Sequence, residues 1–112
     1  QVRQVVTNLV INAMQAISGA GTITVRTAVV DGAVVLSVAD TGSGMTPEVL
    51  RRVFDPFFTT KDVGLGTGLG LAVVQGIVAG HGGSIEVESE PARGSVFRVR
   101  LAVHAAESAR IR

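Results

Sequence analysis

The stretch TITVRTAVVDGAVVLSVAD, residues 22–40, contains two apolar runs separated by Asp31 and Gly32. Valine, isoleucine and threonine are frequent in both runs, and these β-branched residues favour strands. An Asp-Gly pair tolerates the positive φ angles that a two-residue hairpin turn requires. We therefore predict two antiparallel strands, over residues 22–30 and 33–39.

The segments around this hairpin predict one layer of helices on one layer of strands. Residues 1–17 repeat apolar side chains at intervals of three and four, as in an amphipathic helix. The other predicted elements are a short helix capped by Thr46 and ending near residue 54, an apolar helix over 69–79, and strands over 84–89 and 95–103. In the last two strands an apolar face alternates with a face of acidic residues opposite basic ones. Helices can then cover only one face, which predicts a two-layer α+β sandwich.

The composition narrows the class of protein. The 112 residues include no cysteine, which excludes disulfides, and the formal net charge of +1 is too scattered for a nucleic-acid surface. Although 46 % of the residues are hydrophobic, no run is long enough to span a membrane. We expect one domain over residues 1–103 with a tail over 104–112, cytoplasmic, binding no nucleic acid and making no direct membrane contact.

Two amides border the apolar face of the first predicted helix. Asn8 and Asn12 are four residues apart, so their side chains leave the same side of the helix. Asparagine is a poor helix former, and neither residue stands at a helix end where it would act as a cap. Amide oxygens can bind a hard cation such as Mg²⁺, which completes its shell with phosphate oxygens and water. An ordinary solvated pair is the alternative.

Asp40 ends the second strand, and Gly42 and Gly44 follow it. A turn is the commoner reason for an aspartate before glycines. The alternative is recognition of a nucleobase, because a carboxylate accepts a hydrogen bond from the exocyclic amine of adenine but meets another acceptor on guanine. The glycines would let the backbone lie close to such a ligand. The residues alone leave both interpretations open.

The run GLGTGLGL, residues 64–71, places four glycines at alternate positions directly before an apolar helix. Free backbone N–H groups at a helix start form a site for anions. The run matches neither the G-x-G-x-x-G dinucleotide motif nor the P-loop. A flexible linker is the alternative, although a linker would not run straight into a buried helix.

The segment FDPFFTTK, residues 54–61, holds three of the four phenylalanines and the only lysine. Phe54, Phe57 and Phe58 can anchor a loop to the core, with about 1.5–3 kcal/mol gained for each buried ring. Lys61 would then lie just before the glycine-rich run, where its ammonium could contact phosphate. A hydrophobic hairpin with a solvated lysine is the alternative.

In order and spacing, these four motifs together resemble the N, G1, F and G2 boxes of the sensor histidine kinases of two-component systems. The ATP-binding (HATPase) domain of those kinases belongs to the GHKL superfamily, with gyrase, the heat-shock chaperone and the mismatch-repair ATPases. The resemblance covers residues 1 to about 103, and residues 54–61 and 66–83 look especially like the nitrogen-regulation branch. It implies the Bergerat fold, an α+β sandwich of a mixed sheet with helices on one face, and the cofactors ATP and Mg²⁺.

The resemblance also implies roles for individual residues. Asn12 looks like the Mg²⁺ ligand, and Asp40 looks like the carboxylate that reads adenine. Asn8, facing the phosphates, and Lys61, in the lid, are the implied catalytic residues. The other residues implied to bind the nucleotide are Gly42, Gly44, Met45, Phe58, Thr60, Gly66, Thr67, Gly68, Leu69 and Gly70. Asn8 stands where gyrase-like ATPases have a glutamate that activates water, and an amide cannot take that proton.

For the whole protein, the resemblance implies transfer of the γ-phosphate to a histidine on a separate dimerisation domain of the same parent, with a response regulator downstream. Neither His81 nor His104 stands in the usual phosphoacceptor setting, so we expect no autophosphorylation by the fragment alone. The strand that family members carry before the first helix is missing, which predicts an unpaired sheet edge or exposed apolar surface. The alternatives are a non-catalytic nucleotide-sensing or partner-binding module and a GHKL-type serine kinase of a regulator.

Overall fold

The computed structural model describes residues 2–55 and 70–102. The elements in chain order are α1 (Val2–Ala16), β1 (Ile23–Val30), β2 (Ala33–Asp40), α2 (Pro47–Arg52), α3 (Gly70–Gly80), β3 (Ser84–Glu90) and β4 (Gly94–Ala102). Within these ranges, no helix combines the length and apolar character needed to cross a bilayer. The described boundaries agree with the predicted ones to within two residues.

The four strands form one sheet in the order β1-β2-β4-β3, and each neighbouring pair is antiparallel. The mixed sheet expected from the resemblance is therefore wrong for the described strands. The reason lies in the connections, since β1 with β2 and β3 with β4 are hairpins. After β2 the chain continues through α2 and α3 into β3, which runs parallel to β2 but is not its neighbour. Strand β4 lies between β2 and β3 and is antiparallel to both.

The first turn is built as the Asp-Gly pair predicts. Asp31 has a φ of 51° and Gly32 a φ of 76°, the left-handed conformation that a tight hairpin turn requires. The register then pairs Val30 with Ala33 and, at the other end, Ile23 with Asp40. Because the register is continuous, the end of β2 is fixed opposite the start of β1.

The core lies between the sheet and two helices, α1 and α3. Its largest fully buried side chains are Phe97, Leu9, Val5, Val38, Val74, Val78 and Val99. Helix α3 buries fewer residues than its apolar sequence predicts, namely Leu71, Val74 and Val78, whereas Gln75 and Gly76 are exposed. The physical reason is that only one side of α3 faces α1 and the sheet. The two-layer arrangement predicted from the sequence is confirmed.

The other face of the sheet carries the predicted charges. Register pairs Glu86 with Arg98, and the guanidinium of Arg98 forms an ion pair with Glu88 at 3.1 Å. Both partners are partly exposed to solvent, so this pair contributes at most about 1 kcal/mol to stability. The charged face is thus a solvated surface and does not belong to the core.

Strand β1 lies at one edge of the described sheet and leaves apolar side chains exposed. Val25 pairs with Val38 and therefore leaves the sheet on the helix-covered side, yet Val25 is 47 % exposed and Val38 1 %. Val29, on the same side of β1, is 73 % exposed. The helix layer consequently covers the middle of the sheet and stops short of this edge.

Candidate nucleotide-binding site

At one end of the sheet, the face that the helices cover changes from apolar to polar. Register aligns Ile23, Asp40, Ser95 and Ser89 in one row across the four strands. Asp40 is 7 % exposed and Ser95 5 %. The neighbouring row is apolar and consists of Val25, Val38, Phe97 and Val87. A buried carboxylate thus lies at the boundary between the core and this end of the molecule.

The carboxylate of Asp40 stabilises a turn through one of its two oxygens. Oδ1 accepts a hydrogen bond from the backbone N–H of Gly42 at 2.8 Å. Within residues 2–55 and 70–102, Oδ2 has no hydrogen-bond partner. Leaving a buried polar atom without a partner costs free energy, so such an atom points to water or a ligand. The turn and the base-recognition interpretations are therefore compatible.

The loop over residues 41–45 is held from one side by the start of β1 and the end of α1. The backbone N–H of Thr41 donates to the carbonyl of Thr22 at 3.1 Å, and that of Ser43 donates to the carbonyl of Ala16 at 3.0 Å. A Cβ added to Gly42 would overlap this Ala16 carbonyl. Glycine at position 42 lets the loop lie directly against the end of α1.

On its other side, the 41–45 loop is held by the β3–β4 hairpin. The N–H of Ala92 donates to the carbonyl of Ser43 at 2.7 Å, and the N–H of Met45 donates to the hydroxyl of Ser89 at 2.8 Å. Between these bonds Gly44 has a φ of 70°, and a Cβ there would overlap the carbonyl of Glu90. Gly44 is thus required both for its left-handed conformation and for the close approach of two backbones.

The amides of α1 extend from this loop toward the start of α3. The side-chain Nδ2 of Asn8 donates to the carbonyl of Gly70 at 3.2 Å, and Asn8 and Asn12 are half-buried. In the described part of the chain, the side chain of Asn12 makes no hydrogen bond. Asn12 is one helical turn before Ala16, whose carbonyl holds the 41–45 loop. Helix α1 therefore contacts Gly70 near its middle, through Asn8, and holds the loop that follows Asp40 at its C-terminal end, through Ala16.

Part of the predicted site lies outside the described residues. The predicted residues concerned are Phe57, Phe58, Thr60, Lys61, Gly66, Thr67, Gly68 and Leu69. Of the aromatic segment, Phe54 is described, and its ring packs edge-on against Phe97 with a centroid distance of 6.4 Å. The predicted anchoring is confirmed for Phe54 alone. The anion site and the role of Lys61 stay predictions.

Two features away from the predicted residues bear on the site. Among residues 2–55 and 70–102, no cluster of three His, Cys, Asp or Glu side chains could hold a metal ion. A shallow depression of about 420 Å³ lies at the opposite end of the sheet, lined in part by Asp31, Gly83 and Arg100. It contains none of the predicted site residues. We therefore keep the candidate site at the Asp40 end, where the buried acceptor and the tightly held loop lie.

The comparison with known families is decisive. Residues 1–105 match the family described as histidine kinase-, DNA gyrase B-, and HSP90-like ATPase. The chain belongs to this ATPase family. Its antiparallel sheet with helices on one face agrees with the Bergerat fold of histidine kinase catalytic domains, so the predicted relationship is confirmed. The chain is accordingly the type of ATP-binding module found in two-component sensor kinases.

Curated relatives of this ATPase domain are sensor kinases. The chain is 50 % identical over 105 residues to sensor histidine kinase ZraS of Klebsiella oxytoca, covering 93 % of the chain and 22 % of the relative. It is 42 % identical over 116 residues to sensor kinase CckA of Brucella abortus, covering 90 % of the chain and 12 % of the relative. The chain thus spans less than a quarter of either relative. These names do not place it in the nitrogen-regulation branch, which stays a prediction.

Solved structures show the same domain. Full-length ShkA in complex with AMPPNP superposes with a TM-score of 0.79 at 36 % identity, covering 91 % of this chain and 21 % of ShkA. The nucleotide-free catalytic domain of histidine kinase ThkA superposes with a TM-score of 0.78 at 36 % identity, covering 90 % of this chain and 65 % of that one. Similar folds therefore occur both with and without a nucleotide analogue.

Proposed function

We propose that this domain binds Mg-ATP and donates the γ-phosphate to a histidine on a separate dimerisation domain of its parent protein. A response regulator would act downstream, and the reaction would take place in the cytoplasm, where ATP is available. The observation that carries the proposal is the buried carboxylate of Asp40, which lies beside a tightly held glycine loop and, within residues 2–55 and 70–102, has one oxygen without a hydrogen bond. Membership of the ATPase family supports the choice of nucleotide.

The base end of the proposed site selects adenine through Asp40. Its Oδ1 is fixed by the N–H of Gly42, which leaves Oδ2 to accept from an exocyclic amine. Guanine would present a carbonyl to the same oxygen, and two acceptors in a buried site leave both without a hydrogen bond. Because Gly42 and Gly44 have no side chains, the loop that would border the base can lie against its neighbouring backbone segments.

The phosphate end would be formed by the amides of α1 and by residues near α3. Asn12, half-buried and without a side-chain hydrogen bond among the described residues, fits a Mg²⁺ ligand, since that ion takes few protein oxygens. Gly70 begins α3, and the N–H groups of a helix start favour anions. When bound, Mg-ATP supplies the transferable phosphoryl group and the metal charge that offsets its negative charge. Lys61 and Thr60 would contact the phosphates from the lid.

Asn8 supports transfer to a protein acceptor over hydrolysis. Its Nδ2 donates to the carbonyl of Gly70, so the side chain is oriented by α3 and presents its Oδ1 elsewhere. An amide has no basic site near neutral pH and cannot take a proton from water. The phosphate would therefore pass to a nucleophile brought in by another domain.

Titration calorimetry with ATP, ADP and GTP in the presence of Mg²⁺ tests the binding half of the proposal. We expect ATP and ADP to bind about 5- to 150-fold more tightly than GTP, since one unmatched buried polar group costs about 1–3 kcal/mol. Equal affinity for ATP and GTP would remove the role of Asp40. Absence of binding to either nucleotide would refute the proposed function.

Mixing the domain with the purified dimerisation domain of its parent and γ-labelled ATP tests the transfer half. We expect a labelled dimerisation domain whose phosphate is lost in acid, as phosphohistidine is. Binding without transfer would favour a nucleotide-sensing or partner-binding module. An acid-stable product on a regulator protein would favour a serine kinase.

A further inference from the structure

The hydroxyl of Ser89 contacts three residues, from two segments, at the base end of the site. It accepts from the backbone N–H of Met45 at 2.8 Å and donates to the carbonyl of Gly94 at 3.0 Å. It also lies 2.8 Å from the hydroxyl of Ser95. Ser89 therefore links the 41–45 loop with the start of β4.

The chemistry of these groups settles which atom donates each hydrogen. A serine hydroxyl has one hydrogen and two lone pairs. The N–H of Met45 can only donate and the carbonyl of Gly94 can only accept, so Ser89 uses its hydrogen for Gly94. Ser95 must then donate to the second lone pair of Ser89. In this arrangement the hydroxyl of Ser89 has no unused capacity, and a residue without a hydroxyl would leave at least one of these bonds unmade.

The position of these bonds relative to the loop gives them a function. The bond from Met45 to Ser89 and the bond from Ala92 to Ser43 lie on either side of Gly44. Together they hold the backbone of the loop close to the hairpin at Gly44, which is in the left-handed conformation. The same loop carries the N–H of Gly42, which orients the carboxylate of Asp40. A change at Ser89 can therefore reach Asp40 through the backbone.

We propose that Ser89 is a positioning residue for adenine recognition, which acts by fixing the backbone of Met45 and needs no contact with the nucleotide itself. This inference rests on the proposed function, because it assigns a role within the same site. Sequence reasoning missed Ser89, although the alternation of Ile85, Val87 and Ser89 puts this serine on the apolar face of β3. A polar residue at such a position requires a hydrogen-bond partner.

Two variants and one control test this role. Ser89→Ala removes the hydroxyl, and Ser89→Thr restores it in a residue that strands accept well. Ser37→Ala is the matched control, because Ser37 is half-buried on the other face of β2 and makes no side-chain hydrogen bond within the described residues. Ser89→Cys, which keeps the volume with a weaker hydrogen-bonding group, replaces Ser89→Ala if that variant does not fold.

The first measurement is hydrogen exchange of the Met45 amide by NMR, without nucleotide. We expect exchange to be about 5- to 100-fold faster in Ser89→Ala, and close to wild type in Ser89→Thr and Ser37→Ala. The second is calorimetry, where we expect ATP, ADP and adenosine to bind about fivefold or more weakly to Ser89→Ala, by a similar factor for all three. An equal loss of affinity for all three ligands would place the defect at the nucleoside that they share and not at the phosphates. Ser89→Thr should restore the affinity.

The outcomes separate this inference from the function on which it rests. Unchanged Met45 exchange in Ser89→Ala would overturn the structural link. Faster exchange with unchanged affinity for all three ligands would show that the link does not position the site, and would overturn the proposal as well. If the wild-type chain binds no adenine nucleotide, the proposed function fails and the positioning role fails with it, whatever the Met45 amide does.

Discussion

Replacement of Asp40 by asparagine changes one atom of the proposed base contact and little else. Asparagine has nearly the same shape as aspartate. In the wild type, the backbone N–H of Gly42 donates to Oδ1 of Asp40 at 2.8 Å, and the single side-chain oxygen of asparagine can accept the same hydrogen bond. The amide nitrogen then takes the place of Oδ2. We propose that Oδ2 accepts from the exocyclic amine of adenine, so the substitution sets one donor against another.

The expected size of the effect follows from the burial of Asp40, which is 7 % exposed. A hydrogen bond to a charged group contributes about 1.5–3 kcal/mol, and the site offers water little room to compensate. The affinity for ATP should fall about 10- to 150-fold. Because the bond to Gly42 can be kept, we expect the free energy of unfolding to change by less than about 1 kcal/mol.

Calorimetry of the variant with ATP and GTP is the assay, and Asp31→Asn is the matched control. Asp31 is exposed, lies at the opposite end of β2, and has a φ of 51°, a conformation that asparagine tolerates well. We expect Asp31→Asn to bind ATP like the wild type. An Asp40→Asn variant that binds ATP within twofold of the wild type would refute the role of the carboxylate.

Three further substitutions test the packing that holds the site. Gly44→Ala adds a Cβ that overlaps the carbonyl of Glu90 in a residue with a φ of 70°, so we expect at least about 2 kcal/mol lower stability in urea denaturation and weaker ATP binding. Thr46→Ala removes the N-cap hydrogen bond to the N–H of Val49 and should cost about 1 kcal/mol by the same assay. Phe97→Ala removes a side chain that is 1 % exposed and should cost about 3–5 kcal/mol, measured as a lower Tm.

Each of these expectations has an outcome that contradicts it. A Gly44→Ala variant as stable as the wild type would mean that the loop and the hairpin do not approach as closely as described. An unchanged stability of Thr46→Ala would mean that α2 begins without its cap. A loss below about 1.5 kcal/mol in Phe97→Ala would place that ring outside the core.

Local features of the fold could be read from the sequence because each depends on neighbouring residues. The turn at Asp31 and Gly32 has the predicted positive φ angles, and Thr46 caps α2 with Pro47 in its first turn. The alternation of apolar and charged residues along β3 and β4 also predicted correctly which side chains face the helices and which face solvent. In each case the signal and its structural consequence lie within a few residues of each other.

Features that depend on distant segments could not be read in the same way. The pairing of β2 with β4 joins segments separated by more than fifty positions, and no local pattern distinguishes it from a parallel pairing. The hydrogen bond from Asn8 to Gly70 likewise requires α1 and α3 to be neighbours. The apolar composition of α3 predicted a buried helix, but composition does not say how many sides a neighbouring layer covers.

For the site, the sequence supplied the residue types, and the structure supplied the contacts among those that it describes. Asp40, Gly42 and Gly44 were predicted, but the sequence left open whether Asp40 makes a turn or binds a base. The hydrogen bond from Gly42 shows that Asp40 stabilises a turn. The burial of its carboxylate is also compatible with binding a base. Ser89 and Ser95 were missed because serine carries no signal by itself.

The most direct test of an ATP site at the Asp40 end is NMR mapping of the ¹⁵N-labelled chain with Mg-AMPPNP. We expect the largest shift changes at the backbone amides of Gly42, Gly44 and Met45 and at the side-chain amides of Asn8 and Asn12. Shift changes confined to the opposite end of the sheet, around Asp31, Gly83 and Arg100, would place the ligand in the depression at that end and contradict the account.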